Sequence, residues 1–358
     1  MKNGITLPEL ATEIKRQQEN ARDYLVRTQS MHLFSGAYGL YVNIDGVNYP
    51  FGMSEIAHSQ LGQYLKIPAK YYAKMQEEKP WLLASNVNAW LEDDKADKRM
   101  LRTLDGNVRA FLSDKYRRID NADVAEAVLP IIGSMPEARV ESCEITKTRM
   151  YIKVVNPRLQ TDVKVGDTVQ SGILISNSEV GMGSVNICTL IFRLACTNGM
   201  IVQDTSSAVR KYHIGRQNTA DSDMSIYRDE TIEADNRAFL LKMQDAVRAA
   251  VDQAQFATVV DQMREASEAK IEPVTVPAVV ELASSRFGIT QNESEGVLGH
   301  LIEGGDLSLY GLSNAVTRFA QDVGSYDRST ELEATGYKIL TMSPKLWGSI
   351  LSMARKEV

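Results

Sequence analysis

The clearest short-range pattern in the chain is an alternation of apolar and polar residues between positions 39 and 52. It surrounds Asp45-Gly46, a dipeptide that favours the positive φ angles of a tight hairpin turn. Helical spacing follows, with apolar residues at three- and four-residue steps before and after the break at Lys66-Ile67-Pro68. These patterns predict a β-hairpin and then two short helices that meet at a corner.

A helical corner of this kind also has the outline of a DNA-reading helix-turn-helix. Its second helix would offer only Lys70 and Lys74 as basic contacts. We therefore expect an ordinary packed corner, with the DNA-reading helix as the less favoured alternative.

From residue 107 the apolar period is mostly two, which is typical of strands. The segments are NVRAFLS, a helix through NADVAEAVLPII, and then EARVESCEI, RMYIKVVN, TVQSGILISNSE and VNICTLIFRLAC. Gly181 and Gly183 suit the hairpin that joins the last two long strands. This order predicts an α+β fold whose central antiparallel sheet has a β-α-β-β-β core packed by helices.

One predicted strand, RMYIKVV, separates its side chains by chemistry. Arg149, Tyr151 and Lys153 fall on one face, and the apolar residues between them fall on the other. We expect the apolar face to join the core and the other face to be cationic, with an aromatic ring.

Beyond Arg216, the polar stretch QNTADSDMS is typical of a linker or a loop. A long helical segment follows, and a compact helical part begins near Pro277. The long helix carries an apolar stripe formed by Phe239, Leu240, Met243, Ala246, Val247, Ala250, Val251 and Ala254. We expect this stripe to pack against the sheet, with a subunit interface as the alternative.

The chain has 358 residues, of which 44% are hydrophobic and 24% charged, so it can build two or three packed units. We divide it into an N-terminal hairpin and helical segment (1–100), a basic β-rich core domain (101–216) and a helical C-terminal region (217–358). No apolar run reaches the ~18 residues of a membrane helix, and the first residues lack a signal-peptide pattern. We expect a cytoplasmic protein without a membrane segment.

The net charge of −6 is unevenly distributed. Between Lys98 and Arg216 there are 17 Lys and Arg against 12 Asp and Glu, which leaves −11 for the rest of the chain. Such an asymmetry is consistent with an anionic partner at one face, and equally with a solvated strand face in a sheet protein.

Patterns that indicate catalysis or a cofactor are weak. The chain has no phosphate-binding loop, no dinucleotide fingerprint and no ligand-like spacing among its three cysteines and four histidines. Glu268-Ala269-Lys270 resembles a nuclease pair but lies in a helical stretch, and Cys196 is expected to be a buried thiol in an apolar strand. We expect no cofactor and no metal, and we favour a role without catalysis.

Basic residues interleaved with tyrosines are the strongest indication of a binding site. Cations neutralise phosphates and release counterions, and rings can stack on any base. The candidate residues are Lys115, Tyr116, Arg117, Arg118, Arg149, Tyr151, Lys153, Arg210, Lys211, Tyr212 and Arg216. Because arginine and tyrosine are also common on exposed strands, a purely structural role is the alternative for each cluster.

Three stretches together resemble a known family: VRAFLSDKYRRIDN, ISNSEVGMGSVNICTLIFRLACTNGMIV and GHLIEGGDLSLYGLSNAVTRFAQDVGSYDRSTELEATG. This is the phage and plasmid-like family known only as domain of unknown function 932, and the resemblance runs from about Phe51 to about Leu340. It implies a phage or mobile-element setting and no particular mechanism. The predicted topology and its cationic face are also similar to the core of single-strand annealing proteins, which form rings or filaments on DNA.

The sequence therefore leads to one main hypothesis and one alternative. The main hypothesis is a single-stranded DNA-binding or annealing protein of a phage or plasmid, which forms homo-oligomers. The alternative is a non-enzymatic protein-interaction factor of a mobile element, a host-defence modulator or regulator, that binds a protein through its acidic helical ends.

Overall fold

The protein is described by a computed structural model over residues 1–34, 39–93, 98–202, 209–211, 229–249 and 253–357. Its N-terminal sheet has six strands in the order β1-β5-β6-β4-β3-β2. The strands are β1 Ala21–Arg27, β2 Met31–Leu33, β3 Gly39–Ile44, β4 Val47–Met53, β5 Lys98–Leu104 and β6 Asn107–Ser113. All neighbours are antiparallel except β4 and β6.

The N-terminal sheet is covered on one face by three helices, α2 Glu55–Tyr64, α3 Ala69–Glu78 and α4 Pro80–Asp93. Leu61 and Val87 from these helices pack against Leu40 and Leu101 of the sheet. The β3–β4 hairpin turns at Asp45 and Gly46, where φ is 51° and 84°, and the corner between α2 and α3 includes Lys66 at φ 57°. The predicted hairpin and helical corner are therefore confirmed.

The second sheet has six strands, of which five lie in the order β11-β10-β9-β8-β7 and the sixth, β12, also pairs with β10. The strands are β7 Arg139–Ile145, β8 Met150–Lys164, β9 Asp167–Asn177, β10 Val185–Arg193, β11 Asn198–Val202 and β12 Val209–Lys211. One face packs against α5 Asn121–Ser134 and α6 Asp229–Ala249. Phe239, Met243 and Val247 of α6 are buried in that core, as expected for the apolar stripe, whose Ala250 and Val251 lie outside the described residues.

The remaining helices form a C-terminal layer on the second sheet. They are α7 Gln253–Glu268, α8 Val276–Phe287, α9 Gln291–Gly304, α10 Leu309–Phe319, α11 Tyr326–Leu340 and α12 Pro344–Glu357. Helix α11 covers the face opposite α5 through Tyr326 and Ala334, and α7 packs with Val163 and Val169 near the far ends of the strands. Helix α1, Leu7–Asn20, lies against α5 and β7.

The α+β class and the helical C-terminal part are confirmed, but one strand lies elsewhere than expected. Residues 107–113, expected to open the β-α-β-β-β core, form β6 of the N-terminal sheet. The reason is local, since Asp105 and Gly106 turn this segment directly back onto β5. Strand β5 consequently crosses the boundary expected at residue 100, and the boundary at 216 lies outside the described residues. Within the described chain, no helix is both long and apolar enough to cross a membrane.

Candidate nucleic-acid interface

The register of the second sheet brings separate basic segments to one end of it. Strand β8 begins at Met150, which lies opposite Asn177 at the end of β9. Strand β10 begins at Val185, which lies opposite Lys211 of β12. Residues 114–119, 146–149, 178–184 and 210–211 therefore surround the same end of the sheet, which we call the basic end.

Hydrogen bonds fix the 114–119 segment to this end. The Tyr116 hydroxyl donates to the Ser178 carbonyl at 3.2 Å. Asn177 Nδ2 donates to the Ile119 carbonyl at 3.0 Å and to Asn121 Oδ1 at 2.9 Å. Two stretches far apart in the chain, LSDKYRRID and ISNSE, are thus joined by buried polar contacts.

The cations of the basic end differ in their availability. Lys115 and Lys147 are exposed, and the Arg118 side chain is 59% exposed. Arg149 is half-buried because its Nη2 donates to the Met182 carbonyl at 2.5 Å. Arg117 is ion-paired with Asp235 of α6 and keeps only 15% exposure. Among the described side chains of the basic end, Lys115, Lys147 and Arg118 are therefore the cations best placed to contact a ligand.

Gly183 allows Arg149 to lie across the loop that joins β9 and β10. Gly183 has φ 157°, and a Cβ there would come within 2.0 Å of an Arg149 guanidinium nitrogen. Gly181, at φ 73°, is the second positive-φ residue of this loop. Both glycines thus serve the connection for which they were expected.

The expectation that Arg149, Tyr151 and Lys153 form an open cationic face is wrong for the last two residues. Tyr151 is 5% exposed and Lys153 is 0% exposed because α11 covers this face. Lys153 Nζ lies 2.5 Å from Glu333 Oε2, and the Tyr151 hydroxyl donates to Asp327 Oδ1 at 2.9 Å. Burial raises the pKa of Tyr151, and the negative charge of Asp327 raises it further.

Tyr116 is also buried, at 5% exposure, so its ring packs inside and does not face a ligand. Burial raises the pKa of its hydroxyl. The backbone of Arg210 and Lys211 lies in β12, with Arg210 opposite Asn186. The side chains of these two residues, together with Tyr212 and Arg216, lie outside the described residues.

A charged cleft lies beside the basic end, between the two sheets. Its volume is about 230 Å³. The charged residues that line it are Arg22, Asp23, Arg102, Arg109, Arg118, Asp120 and Glu179. We call it the inter-sheet cleft.

Arg102 forms the floor of the inter-sheet cleft and is 2% exposed. Its Nε donates to Asp23 at 2.9 Å, its Nη1 to the Glu179 carbonyl at 3.1 Å and its Nη2 to Asp120 at 2.5 Å. Burial disfavours its charged form, but Asp120 and Asp23 outweigh that effect and its pKa is raised. The floor is therefore a network of ion pairs and hydrogen bonds that joins the two sheets.

Comparison with known protein families identifies the family of this chain. The model of the family described as Domain of unknown function (DUF932) matches residues 110–341, from β6 to the end of α11. The chain belongs to the DUF932 family. No curated protein and no solved structure matches it significantly. Most of the N-terminal sheet precedes the DUF932 match, whereas the resemblance in the sequence had suggested a start near Phe51.

The sequence alone did not identify the cleft residues of this DUF932 chain. Arg102 lies in β5, KRMLRTL, beside two other basic residues, Lys98 and Arg99, so no signal in the sequence distinguishes it as the buried one. Arg109 is the extra residue of a β-bulge, because the pairing with β5 shifts between Arg102 and Thr103. Bulges often redirect a side chain, and here Arg109 Nη1 lies 2.7 Å from Glu179 Oε2.

The position of Cys196 in this DUF932 chain also differs from the prediction. It was expected to be buried in a strand, but it lies half-exposed in the turn between β10 and β11. The strand ends at Arg193, whose Nη1 lies 3.3 Å from the Cys196 sulfur. The apolar residues before Cys196 are typical of a strand, although this segment forms a tight turn.

Proposed function

We propose that this DUF932 protein binds single-stranded DNA by its phosphates at the basic end and holds it for annealing, without catalysis. The observation that carries the proposal is the convergence of residues 114–119, 146–149 and 210–211 at one end of the second sheet. These segments are distant in sequence, and each brings lysine or arginine.

The charge state of the basic end supports binding of phosphates. Lys115, Lys147 and Arg118 are exposed there. Two nearby carboxylates already have internal partners, because Asp120 pairs with Arg102 and Glu179 pairs with Arg109. Exposed cations that gain a phosphate release counterions, and this release supplies most of sequence-independent binding.

The burial of two of the expected stacking rings fits annealing better than base recognition. The rings of Tyr116 and Tyr151 face the interior, so neither can stack on a base. The described part of the basic end therefore offers its exposed cations to a strand. A strand held by its backbone keeps its bases free to pair with a complement. Phe239, Met243 and Val247 of the apolar stripe are buried inside the protein, so we place the contact surface of a homo-oligomer elsewhere. We place this activity in the cytoplasm, in a phage or plasmid setting.

Binding is tested with a fluorescent single strand of about 30 nucleotides, long enough for a groove that binds about 4 to 16 nucleotides. The test variant is Lys115→Glu/Arg118→Glu, and the matched control is Lys345→Glu/Lys356→Glu, which changes two exposed lysines of α12. We expect the test variant to lower the log–log salt slope by about 1.4, from about 0.7 per lost phosphate contact in single strands. Equal loss in both variants would show that general charge, and not this site, governs binding.

Annealing has its own readout, the rate at which two complementary strands pair in the presence of the protein. Wild type should accelerate pairing and Lys115→Glu/Arg118→Glu should not. The second candidate function, a protein-interaction factor, is favoured by Trp81 and Trp90 of α4, which are 58% and 54% exposed. If the wild-type protein does not bind single-stranded DNA at about 50 mM salt, our proposal fails and the protein-interaction factor becomes the favoured function.

A further inference from the structure

The inter-sheet cleft lies beside the basic end, and most of its charged residues take no part in the proposed binding of single-stranded DNA. Four arginines and three carboxylates line it, a local charge of +1. In the floor, Arg102 pairs with Asp23 and Asp120, and Arg109 pairs with Glu179, so two arginines meet three carboxylates. The two remaining arginines, Arg22 and Arg118, place the positive charge at the mouth.

Two guanidinium groups are available at the mouth of the cleft. Arg118 reaches Asp23 only at 3.4 Å and is 59% exposed. Arg22 is exposed, and its Nη1 donates to the backbone carbonyls of Glu19 and Ala21 at 2.8 and 2.6 Å. Arg118 shares Asp23 with Arg102, and Arg22 bonds to backbone carbonyls, so both guanidinium groups keep N–H donors for an anion bound between them.

The floor excludes a chain that passes through the cleft. Arg102 and Glu179 are buried there, and the first backbone N–H of α5 is already occupied, since Asn121 N donates to Glu179 Oε1 at 2.6 Å. A cleft of about 230 Å³ that ends on these residues admits the end of a strand. Gln17 and Gln18 at its wall add neutral amides that can bond to a sugar or a base.

We propose that the inter-sheet cleft binds the terminal phosphate monoester of a single strand between Arg22 and Arg118. The inference relies on the proposed function for the identity of its ligand. A monoester carries about −1.5 to −2 charges at pH 7, whereas an internal phosphodiester carries about −1. Two guanidinium groups match the monoester, and each can bind it with two parallel hydrogen bonds.

The test uses thymidine dinucleotides, which are too short to follow the basic end. Calorimetry compares a 5′-phosphorylated dinucleotide, a 3′-phosphorylated one and one with hydroxyls at both ends. We expect at least one phosphorylated form to bind about tenfold more tightly than the hydroxyl form, as an added charge-assisted contact provides. Equal affinities for all three overturn the inference.

The variant that assigns the site is Arg22→Gln, because Arg22 lies outside the basic end. It should remove the preference for a terminal phosphate. Arg158→Gln is the control, since Arg158 is an exposed arginine of β8 paired with Glu137, and it should keep the preference. An unchanged preference in Arg22→Gln, with thermal midpoints of both variants near wild type, overturns the assignment.

Two further probes separate the possible sources of the phosphate and the two proposals. Thymidine 5′-monophosphate should bind more weakly than whichever phosphorylated dinucleotide binds more tightly. Equal affinities would mean that the ligand of the cleft is a free nucleotide and not the end of a strand. A long strand with hydroxyl ends should bind wild type and Arg22→Gln alike. If it does so while the dinucleotides show no preference, the cleft inference fails and the proposed function stands. If the long strand does not bind but the dinucleotide preference depends on Arg22, the proposed function fails instead.

Discussion

Replacing Lys153 by methionine should strongly destabilise the second sheet. Lys153 of β8 and Glu333 of α11 are both 0% exposed and lie 2.5 Å apart, nitrogen to oxygen. The Lys153 ammonium also lies 4.7 Å from the centroid of the Tyr326 ring. Glu333 Oε1 has no hydrogen-bond partner among the described residues. The carboxylate therefore depends on Lys153 for compensation of its buried charge.

The magnitude follows from what the substitution leaves behind. Lys153→Met keeps the length of the side chain but leaves Glu333 buried without its cation, which costs about 3–5 kcal/mol of unfolding free energy. Replacing both members, as Lys153→Met/Glu333→Leu, removes the uncompensated charge. Buried pairs replaced by apolar residues of similar volume are commonly neutral or more stable by about 1–4 kcal/mol. The double variant should thus recover most of the stability lost by the single one.

The assay is urea denaturation of wild type, both variants and a surface control. The control is Arg158→Met, which removes an exposed pair with Glu137 and should cost less than about 1 kcal/mol. A loss below about 1 kcal/mol in Lys153→Met would refute the reasoning, because it would mean that water or another group reaches Glu333. A double variant less stable than the single one would refute it as well.

Two further predictions concern the cores. Burial lowers the pKa of His58 below its ordinary value of 6.5, so the folded chain keeps this ring neutral beside the Tyr72 hydroxyl. Its contribution to stability is therefore fully present above pH 6.5 and is lost as the pH falls below that value, because the unfolded chain takes up the proton first. The urea midpoints measured at about pH 7.5 and about pH 5.5 should therefore differ less in His58→Gln than in wild type. Gly172→Ala should cost at least about 1–3 kcal/mol, because its Cβ would lie 2.3 Å from the Val154 carbonyl oxygen in the middle of the sheet. Gly348→Ala, where a Cβ meets open space within α12, should instead stabilise by about 0.5–1 kcal/mol, and equal effects of the two glycine variants in thermal denaturation would contradict this account.

The parts of the fold that could be predicted are those with local causes. Asp45-Gly46 specifies its hairpin within two residues, and the α6 stripe needs only helical spacing to indicate a buried face. Strand β6 was assigned to the wrong sheet because strand character is visible in a sequence whereas the choice of partner is not. The turn at Asp105 and Gly106 decided that choice.

The candidate site was only partly predictable for the same reason. Lys153 alternates along β8 like a solvent-facing cation, and its partner Glu333 lies 180 residues further along the chain. Tyr116 looks like a stacking ring beside basic residues, yet its hydroxyl is bonded to the carbonyl of Ser178, 62 residues further along the chain. Lys115 and Arg118 are exposed at the basic end, and Arg118 also reaches a distant carboxylate, that of Asp23, at 3.4 Å.

Photo-crosslinking tests most directly whether the basic end holds single-stranded DNA. A single strand is crosslinked to the wild-type protein, and the adducts are located by mass spectrometry. The basic end predicts adducts within 114–119, 146–149 and 178–184, with few on α12. Adducts concentrated on α12 or on the helices of the N-terminal sheet, or none at low salt, would contradict the claim that the cations of the basic end hold the strand.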